Sequence, residues 1–147
     1  MAVTYEVTVE IEARPELVWA VLADVERWPE WTASMRSVRR LDAGEQRVGS
    51  EACVAQPRLP EATWRVTELE PGSRFAWESR SPGLRSAGDH AVTRLDDRRS
   101  RALLALDQTG PAAPLVALLY GRLIRRYLAL ESAGLGRRCE VGGLSAP

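Results

Sequence analysis

Few side chains in this sequence can do chemistry. His90 is the only histidine, and its ordinary pKa makes it the first group to suspect of moving protons near neutrality. The competing reading is a hydrogen-bonded histidine on a strand. Tyr120, Tyr127 and Glu131 follow at intervals of seven and four residues, which a helix would bring toward one side. A phenol on an apolar stripe must bury its ring and still find a partner for its hydroxyl, because an unpaired buried polar group costs about 1–3 kcal/mol. The hydroxyls of Tyr120 and Tyr127 are therefore expected to face a cavity, within reach of His90, Gln108 or Glu131. Glu131 lies at the edge of that stripe and is expected to reach solvent and pair with an arginine. All 20 basic residues are arginine, so a lysine Schiff base or lysine general base is excluded. Cys53 and Cys139 form no paired spacing with His90 that would make a zinc site, and they are expected to be reduced thiols. No metal and no cofactor is expected. Gly44, Gly49, Gly72, Gly83 and Gly88 lack phosphate-loop spacing, and no serine-hydrolase, zincin or paired-carboxylate signature occurs.

The elements that must position these groups follow from periodicity. Val3, Tyr5, Val7, Val9 and Ile11 alternate with Thr4, Glu6, Thr8 and Glu10, which is a half-buried strand. Pro15 then opens a helix carrying Leu17, Val18, Val21 and Leu22, and a second short helix around Asp24–Trp28 should end before Pro29. From Ser34 onward, turn clusters at Asp42–Glu45, Gln56–Pro60, Glu70–Ser73, Ser81–Gly83 and Asp96–Ser100 mark off six further strands. Alternation turns Trp64 and Val66, Phe75 and Trp77, Gly88, His90 and Val92, and Leu104, Leu106 and Gln108 to one face. A bulge near Arg94 would let Leu95 turn inward as well.

A long amphipathic helix is expected from Pro111 to Arg138. Its prolines suit the first turn, and Gly134 and Gly136 read as stop signals. Val116, Leu119, Tyr120, Leu123, Ile124, Tyr127 and Leu130 share one side; Arg122, Arg125 and Arg126 share the other, read as a solvated face and not as a headgroup patch. Seven antiparallel strands curving around one helix would enclose a cavity. The fold class is α+β, with one domain over 1–140 and a loose tail over 141–147.

Acidic and basic residues balance at 20 each, so no net field favours nucleic acid or an anionic membrane. No apolar run approaches the ~18 residues of a membrane span, and no leader is evident. A soluble cytoplasmic protein without an integral membrane segment is expected. The sequence does not speak to its oligomeric state.

The stretch Val18-Trp-Ala-Val-Leu-Ala-Asp-Val-Glu-Arg-Trp-Pro-Glu-Trp31, with Trp64–Gly72, Phe75–Ser79, Gly88-Asp-His90 and Arg125–Glu131, resembles the START-like superfamily, also called SRPBCC or helix-grip. Within it, the chain is most similar to bacterial proteins of the polyketide cyclase/dehydrase and lipid transport type, over residues 3 to 138. The resemblance implies a seven-stranded antiparallel sheet gripping the C-terminal helix, with an apolar pocket between them. Members include aromatase/cyclases, carriers of steroids, phospholipids and quinones, hormone receptors and co-chaperones.

Such a pocket needs apolar walls and a few placed polar groups. The candidates are Trp31 and Met35 at the mouth, Gln56, Trp64, Trp77, His90 and Gln108 on the sheet, and Tyr120, Ile124, Tyr127 and Glu131 on the helix. Trp19 and Trp28 are expected to fill the junction between short helices and sheet. Three functions fit: binding or transport of a hydrophobic small molecule such as a lipid, quinone or polyketide; cyclase or dehydratase catalysis in the same cavity, with His90, Tyr120, Tyr127 or Glu131 enolising a ketone or assisting loss of water; or a partner-binding module using the open sheet or helix surface.

Overall fold

A computed structural model describes residues 2–145, with side chains through residue 140. β1 (Ala2–Ile11) leads into α1 (Pro15–Ala23) and a 3-10 helix (Val25–Glu30), followed by β2 (Ser37–Arg40), β3 (Glu51–Ala55), β4 (Ala62–Glu70), β5 (Arg74–Ser81), β6 (Leu84–Asp96), β7 (Arg99–Thr109) and α2 (Ala113–Ser145). The strands form one sheet in the order β1-β7-β6-β5-β4-β3-β2, with every neighbour antiparallel. This is the expected α+β helix-grip architecture.

Register turns the alternation into rows across the concave face. Val7, Leu104, His90, Phe75 and Leu69 make one row, and Tyr5, Leu106, Gly88, Trp77 and Val66 make the next. Beyond these lies Val3, Gln108, Ser86 and Ser79, a row that turns polar. Because side chains alternate with period two, a one-residue slip anywhere would send each row to solvent. The expected bulge is present as a register shift between Arg94 and Asp96, and Leu95 is half-buried there.

Three expectations about the helices need correction. The second short helix does not stop before Pro29; it is a 3-10 turn containing that proline. Pro29 withholds a single donor, and the amides of Trp31 and Thr32 both close back on the Trp28 carbonyl at 3.0 and 3.1 Å. Gly134 and Gly136 do not end α2, which runs on to Ser145. Gly134 instead serves close approach: a Cβ there would sit 1.9 Å from the Trp31 carbonyl oxygen. Leu119, assigned to the buried stripe, is 65% exposed. The roll of α2 is set by where glycine lets its backbone touch a neighbour, and this outweighs the count of leucines. Of the tail expected over 141–147, residues 146 and 147 lie outside the described residues.

The start of α2 is held by a second close approach. Gly110 has φ +107°, and a Cβ on it would lie 2.5 Å from the Gly83 carbonyl oxygen. That carbonyl accepts from the Ala112 amide at 2.9 Å. Only glycine meets both demands, the left-handed φ and the missing Cβ.

Candidate functional site

α2 leans on β1, α1 and β7, so a gap remains between the helix and strands β3 to β6. At Gly121 the helix lies over β1, and a Cβ there would rest in ordinary contact 3.5 Å from the Tyr5 hydroxyl. The gap is a cavity of about 570 Å³, within the range of sites for drug-sized ligands. Its wall includes Met35, Gln56, Trp64, Trp77, His90 and Gln108 from the sheet side, and Tyr120, Ile124, Tyr127 and Glu131 from the helix. Ten of the eleven sequence candidates therefore meet around one space.

Trp31 is the exception, because it packs under Gly134 and not on the cavity wall. Trp28, assigned to junction packing, does fill that junction, its Nε1 donating to the Leu22 carbonyl at 3.0 Å. It also reaches the cavity floor. There it continues a run of aromatic rings, with centroids 5.3 Å from Trp77, which is 5.6 Å from Trp64. Gly88, directly across from Trp77, makes room for this indole, since a Cβ there would lie 3.1 Å from it. Trp19 stays outside and packs edge-on against Phe75.

His90 lies flat against Phe75, with centroids 4.3 Å apart and planes 14° from parallel. Its Nδ1 is 3.3 Å from the Phe75 carbonyl oxygen. A carbonyl only accepts, so Nδ1 carries the proton and Nε2 keeps a lone pair. Burial lowers its pKa to about 4, which makes the imidazole neutral and a poor proton donor near neutrality.

Glu131 overturns the expectation of a solvent-facing arginine partner. It is buried and accepts from the Ser34 hydroxyl at 3.0 Å, with Ser34 in turn 2.8 Å from the Thr32 hydroxyl. Burial raises its pKa to about 7, and the Ser34 bond opposes that rise. The group poised near neutrality is thus Glu131 rather than His90.

Of the two phenols, only Tyr127 departs from expectation. The Tyr127 hydroxyl donates to the Pro57 carbonyl oxygen, tying α2 to the β3–β4 loop. Its ring still lines the cavity, as does that of Tyr120, which stands at the rim and is 37% exposed. Arg122, Arg125 and Arg126 make no ion pair among the described residues, and Arg125 lies over the Tyr5 ring at 5.3 Å. Cys53 and Cys139 are free thiols. Among the described residues, no three His, Cys, Asp or Glu gather to hold a metal, and no helix is long and apolar enough to cross a membrane.

Ser86 was within reach of sequence reasoning and was missed. It precedes Gly88 and His90 on the same alternating face of β6. Ser34 carried no such signal, because it sits in a loop where no period assigns a direction.

Residues 2–140 match the family model for polyketide cyclase / dehydrase and lipid transport. No curated protein matches the sequence. Among solved structures, the Zhui aromatase/cyclase from Streptomyces sp. R1128 is similar with a TM-score of 0.79 at 19% identity, covering 95% of this chain and 94% of that one. A START superfamily protein from Mycobacterium smegmatis has a TM-score of 0.73 at 17% identity, covering 93% and 97%. Norcoclaurine synthase from Thalictrum flavum, in complex with dopamine and hydroxybenzaldehyde, has a TM-score of 0.72 at 10% identity, covering 93% and 86%. Identities this low establish a common fold alone.

Proposed function

The chain belongs to the polyketide cyclase/dehydrase and lipid transport family, and from that premise we propose that it binds an apolar, ring-bearing small molecule in its internal cavity. Lipid, quinone and polyketide-like molecules are the classes that fit. The observation carrying this reading is the space of about 570 Å³ walled by Trp28, Trp64 and Trp77. Indole faces offer wide apolar contact to a flat ligand, and burying that surface drives association. The Thalictrum protein of the same fold is in complex with two ring compounds, which accords with such a use of the space.

Tryptophan fluorescence and thermal shift, read across a panel of flat apolar compounds, test the proposal. Saturable quenching together with a raised Tm is expected, and Trp77→Ala should weaken both. Absence of any response across the panel, with the protein folded, would overturn it.

A second reading is favoured by one specific feature, the buried carboxyl of Glu131 in the cavity wall. With a pKa near 7, it suits general acid–base work at neutral pH. As a carboxylate, Glu131 would take a proton from the carbon next to a ketone. The resulting enolate carbon closes on a second carbonyl of the same chain, and the protonated Glu131 returns the proton to the new alkoxide. Chromatography of a poly-ketone incubated with wild type and with Glu131→Gln separates this from simple carriage. Catalysis predicts a cyclised product that the variant fails to form; carriage predicts that both proteins return the compound unchanged.

A further inference from the structure

Resting on the cavity as a site for a ring-bearing ligand, we infer that the ligand carries an amine and that Glu131 anchors it as an ammonium ion beside the tryptophan wall. Glu131 is 9% exposed and forms part of the cavity wall. Its Oε2 accepts from the Ser34 hydroxyl at 3.0 Å. Its Oε1 has no partner among the described residues, yet it is not closed off and keeps accessible surface, which opens on the cavity. The carboxyl also lacks a counter-charge. Although the chain has 20 arginines, Glu131 enters no ion pair among the described residues. A buried carboxylate without a cation is costly, and an incoming cation makes good that deficit.

The rest of the wall has the same sign. The Nδ1 proton of His90 is directed at the Phe75 carbonyl, so its Nε2 presents a lone pair; that atom too is unpartnered among the described residues without being closed off. Trp28, Trp64 and Trp77 add indole faces, whose π density attracts cations. The other charged residues of the wall are Glu61 and Arg80. Arg80 is 71% exposed, with its guanidinium 3.2 Å from Glu78. Among the described residues of the wall, none therefore offers Glu131 an unpaired positive charge. A ring-bearing ammonium meets these demands together: its N–H donates to Oε1 in a charge-assisted hydrogen bond, and its ring lies on the indoles. An alcohol of the same shape donates a hydrogen bond but brings no charge to balance the carboxylate. A ketone finds a donor only in the protonated acid, and an anionic ligand is repelled.

2-Naphthylmethylamine, 2-naphthylmethanol, 2-acetylnaphthalene and 2-naphthoate share a ring and differ in the group it carries. Titration calorimetry of the four against the full chain at about pH 8, where Glu131 is ionised and the amine protonated, tests the inference. The amine is expected to bind about ten-fold more tightly than the alcohol, and the carboxylate more weakly than either. Glu131→Gln should erase that preference, bringing the amine to the affinity of the alcohol. Glu131→Asp keeps the charge and draws it back by one methylene; it should reduce the preference in part, and it serves in place of Glu131→Gln if that variant does not fold. Equal binding of amine and alcohol, tightest binding of the ketone or the carboxylate, or a preference that survives in Glu131→Gln overturns the amine assignment and leaves the cavity reading standing. Failure of all four to bind overturns both.

Discussion

The two halves of α2 share one helix and meet opposite fates. From Ile124 onward the chain turns Tyr127, Glu131, Leu135 and Cys139 inward, and Gly134 lies against the Trp31 backbone. Before that point, Leu115, Leu118 and Leu119 stand in solvent at 57, 81 and 65% exposure. The composition is more apolar where the helix is less buried. Burial here follows the places where backbone meets backbone, and the cavity occupies the stretch where the helix has been drawn toward β1 and away from β4 and β5. A helix can thus be apolar for two reasons, to join a core or to frame an opening, and hydropathy alone does not separate them.

The sharpest way to break the contrast is at Gly134. Gly134→Ala places a carbon where the Trp31 carbonyl oxygen already lies, and overpacking of this kind should lower stability by about 3 kcal/mol in urea unfolding. Gly136→Ala, two residues on, meets nothing within 4 Å and should raise stability by up to about 1 kcal/mol through helix propensity. Equal effects would mean that the buried half is held by something other than this approach.

A pH profile probes the same half through its titrating groups. Glu131 has a folded pKa of about 7 against an ordinary 4.5, so its contribution is fully present below pH 4.5 and is lost as pH rises through 7. His90 has a folded pKa of about 4 against 6.5; its contribution is present above 6.5 and is lost as pH falls through 4. The two slopes oppose each other between roughly pH 4.5 and 6.5, so the wild type should show a flattened profile there. Glu131→Gln is expected to unmask a loss of stability on acidification, visible as a Tm that falls steadily below pH 6.5. An unchanged profile would mean that Glu131 titrates as an exposed carboxyl.

Tyr127 joins the halves. Tyr127→Phe frees the Pro57 carbonyl and should cost about 1 kcal/mol, with faster hydrogen exchange at Arg58, Leu59 and Glu61 and none of that acceleration around Leu135. The smallest effect belongs to the open half: Leu118→Ser should alter unfolding free energy by no more than about 0.5 kcal/mol. A loss above 2 kcal/mol would show that the exposed leucines are covered in solution.

How far the molecule was legible depended on which period governed each residue. Strand alternation is rigid, so the inward positions of Trp64, Trp77, His90 and Gln108 followed from counting by twos, and seven strands with a terminal helix followed from the turns between them. A helix may roll, and a few tens of degrees decide whether Leu119 or Glu131 is buried. That angle is set at Gly134, a residue whose contribution is the absence of a side chain. Gly134 was read as a stop because a C-terminal glycine and a glycine of close approach look alike in one dimension. The Tyr127 hydroxyl found its partner in a loop carbonyl, which no side-chain pattern displays.

The run of Trp64, Trp77 and Trp28, with ring centroids 5.6 and 5.3 Å apart, has an optical consequence. Indoles this close do not absorb independently; their transition dipoles couple, and the relative tilt of the rings makes that coupling chiral. The cavity wall is therefore a single extended chromophore with its own circular dichroism in the aromatic bands. A molecule sliding along it would perturb all three rings at once, so the shape of that spectrum records where in the cavity a guest lies as well as whether one is present.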